Sequence, residues 1–275
     1  MENACRVLNV SASGYYAWLQ SKPSGREVED AWLIEKIKGI YDVSKGVYGV
    51  RRIHRQLLAD GGSCSRNRVT RLMRKCDLKA RRKRRYRVTT DSKHNFPVAK
   101  NLLDRQFISA GPNQVWASDI TYIWTMEGWL YLAAVIDLHS RMVVGWSMGE
   151  RINRGLVLGA LSMAVGRRNP APGVMHHSDR GSQYASYDYQ AALGQHKMCC
   201  SMSRKGDCWD NAVVESFFST LKTERVHHRL YRSRADAKMD IFEYIEVFFN
   251  RVRLHSTLGY LSPVQFESQA LARAA

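Results

Sequence analysis

The rhythm of apolar and polar positions changes once along this chain, near residue 110. Before that point apolar residues recur at helical spacing in short runs. Residues 4–10 and 15–20 read as two short helices, with Ser11 or Ser13 placed to cap the second. Trp32, Leu33, Ile37, Ile40 and Tyr41 mark a further helix, and Gly46 with Tyr48-Gly49 punctuate its end. Residues 51–59, the turn Asp60-Gly61-Gly62-Ser63, and a helix capped by Ser65 and running to about Lys75 have the outline of a helix-turn-helix at about 48–78. In its second helix the pattern turns Val69, Leu72 and Met73 inward and Arg66, Arg68, Arg71, Arg74 and Lys75 outward, where they could neutralise phosphates in a major groove.

From Gln114 onward the periodicity is that of strands. Residues 114–124 (QVWASDITYIW) are rich in β-branched and aromatic side chains, 129–138 (WLYLAAVIDL) are almost unbroken apolar, and 142–148 (MVVGWSM) make a third strand. Residues 154–167 follow as a helix, 174–178 as a strand, 184–195 as a helix and 198–202 as a fifth strand, with helices at about 210–228 and 234–253. Three strands in a meander and then alternating helices and strands predict an α/β fold, a mixed five-stranded sheet with helices on its faces, preceded by the all-helical region. The domain plan is a helical region at 1–78, a basic arm and polar linker at 79–110, and a sheet domain with C-terminal helices at 111–275.

Charge sharpens this division. The 275 residues carry a net charge of +17, and residues 1–110 hold 24 Lys and Arg against 10 Asp and Glu, whereas 111–275 hold 18 against 15. A strongly basic half joined to a nearly neutral one points to a polyanion partner, nucleic acid before a membrane surface. The densest stretch, 79–87 (KARRKRRYR), has seven cations in nine residues, including Arg81, Arg82, Lys83, Arg84 and Arg85. Such a run repels itself and suits an extended arm that grips DNA without reading sequence. No apolar run is long enough to span a membrane, and no signal peptide is recognisable at the N-terminus. The six cysteines form no CxxC pair, so they read as reduced cytosolic thiols and not as a zinc site.

Three acids sit where acids are costly. Asp119 lies in the middle of an apolar strand, Asp179 closes a short strand at a turn (DRGSQ), and Glu215 interrupts an apolar helical stretch (AVVESFFSTL). Carboxylates converging from different elements are what a pair of divalent ions needs for phosphodiester chemistry. Asp137 is a competing acid, with Arg141 placed to pair with it across a turn. Lys222 falls two helical turns after Glu215, on the same face, in position to meet a DNA phosphate. His177 shares strand alternation with Asp179 and either lines the site or packs in the core. Asp210-Asn211 resembles a cap for the helix that carries Glu215.

The stretches WASDITY (116–122), HSDRGSQY (177–184) and WDNAVVESFF (209–218), with 35 residues between Asp179 and Glu215, resemble the transposases of the insertion-sequence three family. FNRVR (249–253) and HSTLGYLSP (255–263) fit as well, so the resemblance covers nearly the whole chain. It implies an RNase H-like fold in which Asp119, Asp179 and Glu215 hold two Mg²⁺ ions (Mn²⁺ being an alternative). It implies cleavage at the ends of a mobile element and attack of the freed 3′-OH on a second phosphodiester. Double-stranded DNA, a homo-oligomer assembled on it, and an upstream-frame protein with a helix-turn-helix and leucine zipper are the implied partners, in a bacterial cytoplasm at the nucleoid. A nuclease that cuts without joining, and a DNA-binding regulator without catalysis, are the competing readings.

Overall fold

The computed structural model describes residues 2–81, 97–204 and 208–274. Two compact units emerge, Met1–Ala80 and Arg81–Ala275. Of the basic arm, Arg82, Lys83, Arg84 and Arg85 lie outside the described residues.

The first unit is helical: α1 (Glu2–Val7), α2 (Ala12–Leu19), α3 (Gly25–Val43), α4 (Val50–Ala59) and α5 (Arg66–Lys75). Ser11 caps α2 by accepting from Gly14 N. Ser24 and Glu27 close a reciprocal capping box that starts α3. Leu33, Ile37, Ile53, Leu57, Val69, Leu72 and Met73 are buried and form the seam where α3, α4 and α5 meet. Trp32, one position from that seam, is exposed. The turn between α4 and α5 needs glycine twice. Gly61 has φ +82°, and a Cβ on Gly62 would stand 2.9 Å from the Leu57 carbonyl oxygen. Arg68 corrects the expected outward stripe. Its guanidinium is half-buried, donating to Asp30 at 2.8 Å and Glu29 at 3.0 Å, and Arg71 reaches Asp30 at 2.6 Å. These arginines fasten α5 to α3, so part of the charge that the pattern offers to DNA serves helix packing instead.

The second unit is built on β1 (Val115–Thr125), β2 (Gly128–Asp137), β3 (Val143–Gly149), β4 (Met175–Ser178) and β5 (Cys199–Met202), in the order β3-β2-β1-β4-β5. The first three pair antiparallel and the last two join β1 in parallel. Helices α6 (Arg154–Arg168), α7 (Ser182–Ala185) and α8 (Tyr187–Gln195) cover one side of the sheet through Leu156, Val157, Ala160, Leu161, Tyr184 and Tyr189. α9 (Ala212–Glu224) and α10 (Arg234–Phe242) also pack against it. This is the mixed five-stranded sheet with helices packed on it that the sequence predicts. Three details differ. The expected helix at 184–195 breaks at Ser186 into α7 and α8. The one at 234–253 widens after Phe242 into a π-helical segment, Glu243–Phe249. A further helix, α11 (Pro263–Ala274), starts behind a reciprocal cap between Ser262 and Gln265.

The described part of the polar linker, 97–110, lies in the second unit. Leu103 is buried, and the amides of Leu102 and Leu103 donate to Ser201 Oγ on β5.

A buried clamp closes the far end of α9. Glu224, its last residue, accepts from Arg253 Nε at 2.9 Å, from Arg253 Nη2 at 2.8 Å and from the Tyr244 hydroxyl at 2.7 Å. Breaking one side of a buried pair leaves an uncompensated charge, at about 3–5 kcal/mol. Arg253→Met is therefore expected to destabilise the fold by that amount in urea unfolding, and Glu224→Gln in the same protein to recover part of the loss. Equal midpoints for Arg253→Met and wild type would show that the pair contributes nothing.

Candidate active site

β1 reaches well beyond its parallel neighbour. β4 pairs with it only over Val115–Ala117, so Ser118 onward forms an open edge on that side among the described residues. Asp119 opens this notch. Its carboxylate accepts from the Ile120 amide at 2.7 Å. Asp179 follows the last residue of β4 and accepts from Gly181 N at 2.9 Å, which holds the turn before α7. Glu215 is exposed in the first turn of α9, where the helix's unpaired amides favour negative charge. Asn211 ties that end of α9 to the notch by donating from Nδ2 to the Ser118 carbonyl at 3.1 Å.

The charges of the other two acids act on Asp119. Burial first, then the charges of Asp179 and Glu215, drive the Asp119 carboxyl well above the usual carboxylate range, against the Ile120 amide and the Lys222 ammonium. Burial also raises Glu215. Among the described residues, no three His, Cys, Asp or Glu side chains are already arranged to hold a metal ion. The carboxylates share a field without converging on one point.

That field has a measurable consequence. The fold favours protonated Asp119, so its contribution to stability is full below the unfolded value near 3.8 and is lost as pH rises through the higher folded value. In metal-free buffer at neutral pH, Asp119→Asn is expected to melt a few degrees above wild type, and the gap should close as the pH is lowered toward about 4. An unchanged or lower melting temperature at neutral pH would show that Asp119 is not under this pressure.

Other expected residues fall differently. Lys222 is not at the surface; it is buried, with Nζ 4.4 Å from the centre of the Tyr122 ring and within the field of Asp119. Asp137 is fully buried, accepts from the Asn113 and His139 amides, and has Arg168 at 3.7 Å as its ion-pair partner. Arg141 instead donates its guanidinium to the Phe107 carbonyl. His177 is buried between the hydroxyls of Ser201 and Ser203, so it belongs to the core. Asp210 does not cap α9. It is buried and gathers Arg204, Arg105 and Asn101, which hold its carboxyl below the usual range. Tyr184, which the pattern of strands and helices does not single out, buries its hydroxyl close to Asp119 and Asp179. Its place in HSDRGSQY, five residues after Asp179, is the signal that points to it.

Comparison with known proteins agrees with this organisation. Residues 27–86 match the HTH-like domain, and residues 109–208 and 215–271 match integrase core domain families. The chain is 46% identical over 265 residues to the insertion element IS600 uncharacterized 31 kDa protein of Shigella sonnei, covering 96% of this chain and 97% of that protein. It is 45% identical over 270 residues to the transposase InsF for insertion sequence IS3A of Escherichia coli K12, covering 98% of this chain and 94% of that one. Among solved structures, the simian T-cell lymphotropic virus intasome in complex with PP2A regulatory subunit B56 gamma aligns over 84% of this chain and 74% of its own, at 15% identity and a TM-score of 0.48.

Proposed function

The chain belongs to the IS3 family of integrase-core transposases, and from that premise we propose that it cuts DNA at the ends of a mobile element and joins the freed 3′-OH to a second phosphodiester. The observation that carries this reading is the placement of Asp119 at the open edge of β1, within the field of Asp179 and Glu215. Three hard oxygen donors, two of which raise the proton affinity of the third, Asp119, suit divalent cations, magnesium in particular. Asp119 and Asp179 would hold the ions with Glu215 as third ligand, and the bound ions would offset charge on the phosphate and on the attacking and leaving oxygens.

The chain's own groups do the positioning. Asp119 is fixed by its strand and by the Ile120 amide, and Asp179 by the Gly181 amide. Glu215 sits on the exposed first turn of α9, so closure of the ligand set would fall to this side chain. Lys222, buried with its ammonium over the Tyr122 ring, adds a cation beside Asp119 and would favour its ionised form. In the helical unit, exposed Arg66, Arg74 and Lys75 would contact DNA phosphates, with Arg68 and Arg71 serving the fold. Arg81, Arg82, Lys83, Arg84 and Arg85 would add a salt-sensitive grip. Assembly on DNA as a homo-oligomer, and partnership with an upstream-frame protein, belong to the same reading. No helix among the described residues is long and apolar enough to cross a membrane.

Joining separates this reading from a nuclease that only cuts. Labelled duplexes carrying the DNA that flanks the gene, incubated with the full chain and Mg²⁺ or Mn²⁺, are expected to yield joined products that EDTA suppresses. Cleavage without any joined product would favour the nuclease; stable binding with neither would favour a regulator.

A further inference from the structure

The strand that carries Asp119 ends in an exposed aromatic ledge that the proposed chemistry leaves unused. β1 and β2 pair Tyr122 with Tyr131 and Trp124 with Trp129, so these side chains share one face of the hairpin. The Trp129 ring stands between two others, 5.1 Å from Tyr122 at 83° and 4.8 Å from Trp124 at 74°. Both indoles are open to solvent, Trp124 at 54% and Trp129 at 43%, and Met126 at the turn is at 65%. The backbone beneath them is held firmly. Thr125 donates to the Gly128 carbonyl, Arg234 donates to the Trp129 carbonyl and to Glu127, and Met126 N donates to the Tyr231 carbonyl.

Cross-strand aromatic pairs steady a hairpin. That role does not require two tryptophans to stay half in water, and contiguous exposed apolar surface of this kind marks a binding site. The surroundings say what kind. Arg234, whose guanidinium donates to the Trp129 carbonyl, and Arg232, exposed and next to the residue that bonds the turn, bring cations to the ledge. Glu127, the acid at the tip, already accepts from the Arg234 amide. Rings in a row with cations alongside suit the bases and phosphates of an unpaired nucleic acid strand, because every base offers a π-face to stack. A paired duplex offers mainly edges and phosphates.

We propose that Tyr122, Trp129 and Trp124 form a stacking site for unpaired bases of the DNA end being processed at Asp119. This rests on the transferase reading above and adds that the end is held frayed, one strand peeled from the other. The path is short. Trp124 lies five positions along β1 from Asp119, about 17 Å, and strand alternation puts the two on opposite faces, so a few nucleotides would span them by passing round the open edge. β4 leaves that edge of β1 unpaired beyond Ala117.

Fluorescence anisotropy with the full chain in EDTA tests this, comparing a blunt duplex with the same duplex carrying a few unpaired bases at its end. Wild type is expected to prefer the frayed end, and Trp124→Ala or Trp129→Ala to lose about tenfold on it, with Trp124→Phe retaining most of the affinity. Quenching of 2-aminopurine at an unpaired position should weaken in the same variants. Equal losses on both duplexes, or no loss on either, would overturn the proposal. So would a ledge variant that keeps both affinities and converts a dimer to a monomer in sedimentation, which would assign the ledge to a second copy of the chain. Wild-type protein that prefers frayed ends but never joins them would sink the transferase reading and leave the ledge standing. Joining without any ledge-dependent preference would sink the ledge alone.

Discussion

Asp119→Asn is expected to lower the rate of joining DNA ends by about three orders of magnitude, which corresponds to roughly 4 kcal/mol of lost transition-state stabilisation. The amide keeps the size of the carboxylate and can still accept from the Ile120 amide. What it removes is the negative charge that a divalent ligand must carry. The same logic covers Asp179→Asn and Glu215→Gln, with binding of duplex DNA close to wild type because the basic groups are untouched. The three variants should also lose Mg²⁺ affinity in titrations followed by calorimetry. Any one of them joining DNA at the wild-type rate would remove that residue from the ligand set. Glu215→Gln is the most informative, since Glu215 is exposed and the two aspartates are each fixed by a backbone amide.

A large effect on stability is also expected at Gly145. This buried residue of β3 sits just after the register shift between Val135 and Ile136, where β3 approaches α6. A Cβ there would lie 2.2 Å from the Ala160 carbonyl oxygen and 2.6 Å from the Ala164 amide nitrogen, both backbone atoms of α6. Neither can step aside without moving the helix off the sheet. Overpacking of this kind costs about 3 kcal/mol or more, equivalent to roughly 10 °C in a unit of this size. Calorimetry of Gly145→Ala should show that loss, or no folded protein at all. Gly166, inside α6, is the control, because a methyl group added there would meet nothing within 4 Å. At that position alanine should stabilise by a few tenths to about 1 kcal/mol through helix propensity. A Gly145→Ala melting temperature equal to wild type would mean that the close approach of α6 is easily relaxed.

The alternation of residues 114–148 suffices to lay out three antiparallel strands, because each strand's burial is recorded in its own side chains. Pairings made across long separations are not legible in this way. Nothing near Arg68 announces Asp30 and Glu29, almost forty residues earlier, so an amphipathic pattern places its charge in solvent. Asp210 reads as a helix cap because Asp before a helix usually is one, yet Arg204, Arg105 and Asn101 draw its carboxylate elsewhere. Trp129 has the look of the start of an apolar strand. That β1 and β2 overhang β4, leaving its ring exposed, depends on strand lengths set against one another. The start of α11 has a local signal in Ser262-Pro263 that strand and helix periodicity alone does not use.

The clamp between Glu224 and Arg253 bears on how such a gene decays. α9 carries Glu215 at one end and Glu224 at the other, so its seating on the sheet is shared between the notch and a residue far along the tail. A premature stop codon just upstream of position 253 would spare Asp119, Asp179, Glu215 and the whole helical unit. It would also strand a buried glutamate and loosen the helix bearing the third acid. If the helical unit holds DNA as proposed, truncated copies of this kind would compete for it with the intact protein while doing no chemistry.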